Sequence, residues 1–160
     1  MKVPIKTKVN GKLYEQEVEA RSTLLDILRD ELKIKSVHRG CEDGECGACT
    51  VLLNGKPVCS CLVLAPQVGG AEVTTVEGLL KGDELHPLML AFIENHAIQC
   101  GYCTPGVIMT AYYLLNNLTE FTDEELRKGI EGNLCRCTGY IHIIKAIKAA
   151  KEYKDSGNWW

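Results

Sequence analysis

The stretch Cys41-Glu-Asp-Gly-Glu-Cys46-Gly-Ala-Cys49 decides the fold of this chain, because it brings three thiols into one short loop. A fourth thiol follows the loop at Cys59 or at Cys61. This C-x4-C-x2-C…C spacing is typical of plant-type [2Fe–2S] clusters, which bind four cysteine thiolates. The first half of the chain is therefore predicted to fold around one such cluster.

The residue pattern alone does not choose between Cys59 and Cys61 as the fourth ligand. The two cysteines stand two positions apart on an expected strand over residues 56–61. Because side chains alternate between the two faces of a strand, both thiols would point to the same face. Either one could complete the set, and the other would then be an extra thiol.

A second group of cysteines lies in the second half of the chain. It consists of two pairs, Cys100-Gly-Tyr-Cys103 and Cys135-Arg-Cys137. Each pair precedes a predicted helix cap, Thr104 or Thr138, where free N–H groups and partial positive charge favour anionic ligands. A structural zinc site with four cysteine ligands could use similar pairs. Beside the plant-type loop, we interpret the four thiols as the ligands of a second [2Fe–2S] cluster.

Composition and charge restrict the class of protein. The net charge of −3 gives no basic surface for nucleic acid. No apolar run approaches the roughly 20 residues of a membrane-spanning helix, and the N-terminus has no signal-peptide core. Nine cysteines are an odd number, which argues against a disulfide framework and for metal ligation in a reducing cytoplasm.

Hydrophobic periodicity predicts an α+β fold in two domains. Residues 1–77 show two strand hairpins, each with an Asn-Gly turn, around one helix. Residues 78–160 show a helical pattern after a glycine-containing linker at residues 77–84. Four helices are expected there: about 87–98, about 104–117, one capped by Thr122 and one capped by Thr138.

Three segments together resemble a known family. They are Gly40-Cys-Glu-Asp-Gly-Glu-Cys-Gly-Ala-Cys-Thr-Val51, Gln99-Cys-Gly-Tyr-Cys-Thr-Pro-Gly106 and Gly132-Asn-Leu-Cys-Arg-Cys-Thr-Gly-Tyr140. Over about residues 1–152, the chain resembles the small iron–sulfur subunit of molybdenum hydroxylases, a group that includes xanthine dehydrogenases, aldehyde oxidoreductases and aerobic carbon monoxide dehydrogenases. The resemblance implies an N-terminal β-grasp plant-type ferredoxin domain at residues 1–77 and a C-terminal four-helix domain at residues 78–160.

The resemblance also implies the ligands. The family pattern leaves eleven residues between the third and fourth ligands of the first cluster, which selects Cys61 and leaves Cys59 as the extra thiol. The eight implied iron ligands are Cys41, Cys46, Cys49, Cys61, Cys100, Cys103, Cys135 and Cys137. Gln99 and Cys137 match positions that approach a molybdopterin cofactor through hydrogen bonds.

Partners follow from the same resemblance. It implies a heterotrimer with a large molybdopterin-binding subunit and a medium FAD-binding subunit, which can itself dimerise. Electrons would run from molybdenum to the helical-domain cluster, then to the plant-type cluster, then to FAD. The chain has no phosphate-binding glycine fingerprint and no acid–base constellation. No catalytic residue is therefore expected in it, and the substrate of the complex, expected to be an aldehyde, would react elsewhere.

The sequence is also compatible with two other functions, and it allows two interpretations of the terminal segment. A free-standing two-cluster ferredoxin would be a diffusible carrier, although the modest charge of −3 does not indicate the charged patch of such carriers. A zinc-stabilised interaction module would use the same thiols for zinc. The terminal Trp159 and Trp160 are interpreted either as a tail that docks on a partner or as a disordered end.

Overall fold

The structure is a computed structural model that describes all 160 residues. It is a mixed α/β fold, as predicted, with five strands and five α-helices. The strands are β1 Lys2–Val9, β2 Lys12–Glu19, β3 Thr50–Leu53, β4 Lys56–Cys59 and β5 Glu72–Thr74. The helices are α1 Leu24–Asp26, α2 Pro87–Glu94, α3 Thr104–Asn117, α4 Asp123–Gly129 and α5 Ile141–Asp155.

The strands form one sheet in the order β2-β1-β5-β3-β4. β1 and β2 pair antiparallel around the turn Asn10-Gly11, in which both residues have positive φ, +50° and +78°. This is the conformation that a type I′ turn requires and that an Asn-Gly pair favours. β1 buries every second side chain from Ile5 to Val9, as its alternating sequence predicts.

The helix after β2 is short. Thr23 and Asp26 form a reciprocal capping box: the Thr23 N–H donates to Asp26 Oδ2 at 2.7 Å, and the Asp26 N–H donates to Thr23 Oγ1 at 3.2 Å. After this single turn the chain continues as a π-helical segment, Ile27–Glu31. The apolar side of both segments is buried, as Leu24 and Leu28 show.

One strand is shared by two hydrophobic cores. Val51 of β3 lies in a core built from residues of the first half, whereas the neighbouring Leu52 lies in a core built mostly from the helices beyond Leu79. Because consecutive residues of a strand face opposite sides of the sheet, β3 forms a wall between the two cores. The two halves of the chain therefore pack directly against each other.

The strand expected over residues 56–61 ends at Cys59. A 3₁₀ turn, Ser60–Leu62, follows immediately. Ser60 is fully buried, and its hydroxyl donates to the Cys49 carbonyl at 2.8 Å, which fixes the chain in this turn. Cys59 and Cys61 therefore do not share one face of a strand, and the prediction of their equivalent orientation is wrong.

The helix boundaries in the second half differ from the prediction by a few residues. α2 ends at Glu94, before the predicted residue 98, and His96 then adopts a left-handed φ of +53°. Thr104 is the first residue of α3 rather than its cap, and Cys103 occupies the cap position. The predicted capping box of Thr122 is confirmed at the start of α4. None of these helices has the length and apolar character that crossing a membrane requires.

Thr138 does not cap the last helix. α5 begins at Ile141, after Tyr140 takes a left-handed φ of +68°. The Thr138 hydroxyl instead accepts from the Tyr140 N–H at 3.1 Å and lies 3.1 Å from the Cys135 sulfur. The side chain expected to begin a helix is therefore engaged by the cysteine loop.

The terminal tryptophans pack on this chain itself. The Trp160 indole N–H donates to the Leu79 carbonyl at 3.1 Å, and the Trp159 indole N–H donates to Asn116 Oδ1 at 3.0 Å. Both indoles lie edge-on to the buried His86 ring, with centroids 5.3 Å and 4.4 Å away respectively. The tail therefore ties the linker to α3 rather than forming a disordered end, and its docking on a partner stays a prediction.

His86 joins this tail to the start of α2. Its Nδ1 accepts from the Leu88 N–H at 3.1 Å, so Nε2 carries the proton and donates to a backbone oxygen of Trp160 at 2.8 Å. Burial lowers the pKa of His86 below its ordinary value of 6.5, and the hydrogen bond to Trp160 offsets only part of this effect. The neutral imidazole is thus the form that fits both partners.

We expect acidification to weaken the fold through His86. Because the pKa of His86 is lower in the folded chain than in the unfolded chain, its contribution to stability is fully present above about pH 6.5 and is lost as the pH falls through the folded-state pKa. Unfolding free energies of the wild type and of His86→Gln should be compared from about pH 7.5 to about pH 5.5. The advantage of the wild type should shrink on acidification, and a pH-independent difference would contradict this role.

Candidate iron–sulfur centres

Backbone N–H groups of the first cysteine loop point at its sulfurs. The Cys41 N–H donates to Cys46 Sγ at 3.4 Å, and the Cys46 N–H donates to Cys41 Sγ at 3.3 Å. A third donor, the Ala48 N–H, reaches Cys46 Sγ at 3.5 Å. Hydrogen bonds of this kind stabilise negative charge on sulfur and orient ligands around a metal centre.

The loop approaches its own sulfurs this closely because glycines leave room. A Cβ atom at Gly40 would lie 2.6 Å from Cys46 Sγ. Gly44 has a left-handed φ of +87°, and a Cβ atom there would lie 2.4 Å from a methyl carbon of Leu62. The two glycines therefore shape the cradle for the thiols, which a side chain at either position would fill.

The third thiol of the loop lies deeper. Cys49 is buried, and a hydrogen bond from the Cys59 thiol, with further hydrogen bonds from Cys61, lowers the pKa of Cys49 to about 5. The hydrogen bond to Cys49, together with burial, strongly raises the pKa of Cys59. Burial, followed by the hydrogen bond to Cys49, raises the pKa of Cys61 to about 12. Both candidate fourth thiols thus lie beside Cys49.

Gly44 lies beside both of these thiols. Its carbonyl oxygen is 3.6 Å from the Cys59 sulfur and accepts from that thiol. Its backbone N–H offsets part of the rise in the pKa of Cys61, which burial and the hydrogen bond to Cys49 cause. Both thiols also hydrogen-bond Cys49, so Cys61 as the fourth ligand stays a prediction from the family spacing.

The four thiols of the second half also contact one another in pairs. Cys137 hydrogen-bonds Cys100, which raises the pKa of Cys137. Burial, followed by a hydrogen bond to Cys135, raises the pKa of Cys103 to about 12. Although burial opposes the change, hydrogen bonds from Thr138 lower the pKa of Cys135.

This pairwise arrangement fits two-iron clusters. A [2Fe–2S] cluster needs two ligands on each of two irons. Hydrogen bonds join Cys41 with Cys46, Cys100 with Cys137, and Cys103 with Cys135, whereas Cys49 hydrogen-bonds both Cys59 and Cys61. The thiols thus stand in groups that can supply two ligands to each iron.

The two thiol sets face a common cavity of about 200 Å³. Cys41 and Cys46 line it from the first half, and Cys100, Cys103 and Cys135 line it from the second half. The cysteine spacing predicts both ligand sets but not that they line one cavity. The structure places residues of both sets around this one small space.

Tyr102 and His38, which the sequence analysis did not single out, brace the two loops. Their rings stack with centroids 4.5 Å apart. His38 Nδ1–H donates to the Tyr102 carbonyl at 2.7 Å, and the Tyr102 hydroxyl donates to the Arg39 carbonyl at 2.6 Å. The one available signal was the position of Tyr102 between Cys100 and Cys103.

The predicted cofactor-approaching residues lie at the surface. Gln99 and Cys137 are both exposed, as is Cys100 beside Gln99. Cys49 and Cys61, in contrast, are buried in the first core. The second thiol set is thus open to the outside on the side of Cys100 and Cys137.

Two protein families match this chain. The family described as "2Fe-2S iron-sulfur cluster binding domain" matches residues 7–79, and the family described as "[2Fe-2S] binding domain" matches residues 75–148. Each half of the chain therefore carries one recognised [2Fe–2S]-binding domain.

Proteins from several bacteria are similar to this chain over most of its length. Caffeine dehydrogenase subunit gamma of Pseudomonas sp. (strain CBB1) is 49% identical over 148 residues, covering 91% of this chain and 89% of that protein. The aldehyde oxidoreductase iron-sulfur-binding subunit PaoA of Escherichia coli (strain K12) is 44% identical, covering 96% of this chain and 74% of that protein. A chain of quinoline 2-oxidoreductase from Pseudomonas putida 86 superimposes with a TM-score of 0.92 and 42% identity, covering 98% of both chains.

Serine substitutions should separate the two candidate fourth ligands. We expect Cys61→Ser to abolish the first cluster and spare the second, so that iron falls from about four to about two per chain. Cys59→Ser should have little effect, because serine keeps a donor for the Gly44 carbonyl. Iron content and electron paramagnetic resonance of the dithionite-reduced protein provide the measurement. Loss of the first cluster in Cys59→Ser with retention in Cys61→Ser would reverse the assignment.

Proposed function

This chain belongs to the molybdenum hydroxylase family as its small [2Fe–2S] subunit, and we propose that it carries electrons from a molybdopterin centre on a large subunit to FAD on a medium subunit. The observation that carries this proposal is the common cavity lined by both thiol sets. The chain is the non-catalytic, electron-transfer part of an oxidoreductase complex. Because the named relatives are subunits of larger enzymes, they do not favour a diffusible ferredoxin.

The protein supplies ligands and hydrogen bonds to its cofactors. Two [2Fe–2S] clusters, when bound, supply reversible one-electron oxidation and reduction. We assign their ligands as Cys41, Cys46, Cys49 and Cys61 for the first cluster, and Cys100, Cys103, Cys135 and Cys137 for the second. The N–H groups that point at the Cys41 and Cys46 sulfurs would stabilise negative charge on them when they bind iron. We set the domain boundary between residues 77 and 78. The two family matches overlap at residues 75–79, which supports this division.

The exposure of the thiols supports two partner-facing ends. We propose that the surface with exposed Cys100 and Cys137 faces molybdopterin, and that Gln99 and Cys137 hydrogen-bond that cofactor. The exposed Cys41 would mark the end toward the FAD subunit. The complex would be a heterotrimer, able to dimerise. All nine thiols are free, which supports a reducing cytoplasm as its location.

We propose an aldehyde as the substrate of the whole complex. The likeness to the PaoA subunit of an aldehyde oxidoreductase supports this assignment. A nitrogen heterocycle is the second candidate, because the relatives named for caffeine and quinoline are similar to the chain to the same degree. The substrate pocket would lie on the large subunit, so this chain does not choose between the two classes.

Purification of the intact complex through a tag on this chain tests the electron-transfer role. We expect about four irons per chain and, after reduction with dithionite, two distinct paramagnetic signals that integrate to about two spins per chain. Molybdenum and flavin should co-purify with the larger subunits. Both signals without molybdenum or partner chains would favour the diffusible ferredoxin. Zinc with no paramagnetic signal would contradict any electron-transfer role.

The same preparation tests the substrate class. We expect an aromatic or aliphatic aldehyde to reduce both clusters under anaerobic conditions, seen as bleaching of their visible absorption. A nitrogen heterocycle such as caffeine or quinoline serves as the matched comparison. Reduction by the heterocycle and not by aldehydes would reject the aldehyde assignment while leaving the electron-transfer role intact.

A further inference from the structure

Three segments that carry cluster ligands meet at one backbone carbonyl, that of Gly47. Gly47 lies between the ligands Cys46 and Cys49, with a left-handed φ of +68°. Its carbonyl accepts from the Thr50 N–H at 3.1 Å and from the Thr50 hydroxyl at 2.7 Å. A third donor, Nδ2 of Asn133, reaches it at 3.1 Å from the second half of the chain.

Asn133 is built into this junction rather than lying at its edge. Its side chain is only 3% exposed. The same Nδ2 also reaches the Thr50 hydroxyl oxygen at 3.3 Å. The residue that follows, Leu134, donates its N–H to the Cys46 carbonyl at 2.9 Å. The segment just before Cys135 is thus hydrogen-bonded twice to the first cysteine loop.

The contact is so close that no side chain fits between the backbones. A Cβ atom at Gly47 would lie 2.0 Å from the Gly132 carbonyl oxygen. A Cβ atom at Gly106, in the first turn of α3, would lie 2.2 Å from the Gly47 carbonyl oxygen. Such distances cannot be relieved by rotating a side chain, because the atoms that clash belong to the backbone. The separation of the two loops is therefore set by direct backbone contact.

We propose that Asn133 is a positioning residue that holds the two ligand sets at a fixed separation and orientation. It touches no ligand sulfur in this arrangement and acts through the Gly47 carbonyl. Its amide is the only side-chain donor from the second half that reaches this carbonyl. The inference rests on the proposed electron-transfer function, because a fixed separation matters only if both sets hold redox centres.

Asn133→Asp is the sharpest test, because it keeps the shape of the side chain and replaces the donor by an oxygen that repels the Gly47 carbonyl. The matched control is Asn10→Asp. Asn10 likewise donates its Nδ2 to a threonine hydroxyl, that of Thr75, at 2.9 Å, but it lies away from every cysteine. Aspartate also tolerates the left-handed backbone of Asn10.

The measurement is made on the complete complex in three parts: iron per chain, thermal unfolding, and the magnetic splitting between the two fully reduced clusters. That splitting depends steeply on their separation and orientation. We expect Asn133→Asp to keep both paramagnetic signals but to shift or lose the splitting. Asn10→Asp should leave the splitting unchanged even if it lowers the unfolding temperature. An unchanged splitting in Asn133→Asp would overturn the inference.

A second variant covers the case in which Asn133→Asp fails to hold iron. Thr50→Val removes the hydroxyl that accepts from Asn133 and donates to Gly47, and it preserves the volume of the side chain. We expect a smaller shift of the splitting in the same direction, and an unchanged splitting would overturn the inference. Absence of both cluster signals in the wild type would instead reject the proposed function, so the two failures are distinguishable.

Discussion

Backbone N–H groups that point at sulfur are the interaction on which the rest of this structure depends. Thiolates gathered in one small chain repel one another, and a buried negative charge is costly unless donors surround it. The loop around Cys41 and Cys46 supplies such donors: the Cys41 and Ala48 N–H groups reach the Cys46 sulfur, and the Cys46 N–H reaches the Cys41 sulfur. The ligands therefore lie in loops, and the strands and helices serve to hold those loops in place.

Two cores hold the loops, and their shared strand determines how the loops meet. β3 follows the first cysteine loop directly and supplies Val51 to one core and Leu52 to the other. The loop is thereby anchored to both halves at its own end. Because the second half packs on the far side of β3, its cysteine segments come to lie against Gly47, where only glycine permits the contact. The two thiol sets thus lie close together because both hydrophobic cores share strand β3.

Local features of the fold could be predicted from sequence, and long-range features could not. The Asn10-Gly11 turn, the capping box at Thr122 and the mixed α/β class depend on residues near one another in the chain. The prediction for Thr138 is wrong because its hydroxyl has two local partners available, a helix N-terminus and the Cys135 sulfur. Short-range preference cannot rank two such partners when the loop geometry is unknown.

In the candidate site, too, local features could be predicted from sequence and long-range features could not. Cysteine spacing predicts two ligand sets because the spacing is itself local, yet it could not separate Cys59 from Cys61. In the folded chain a 3₁₀ turn begins at Ser60 between them, and both thiols lie beside Cys49, a contact that strand periodicity does not predict. The tail likewise finds its partners, Leu79 and Asn116, at long range. Contacts made across the chain carry no periodic signal in the sequence.

The thiols of the two sets are unevenly buried, and this bears on how each set could meet a partner subunit. Cys49 and Cys61 are buried in a core, whereas Cys100 and Cys137 stand open at the surface. Buried ligands fix a cluster in position, and exposed ligands allow another subunit to bring its cofactor close. Solvent exposure also influences the reduction potential of a cluster. A partner that covered Cys100 and Cys137 would therefore change the solvent exposure, and with it the reduction potential, of a cluster held there.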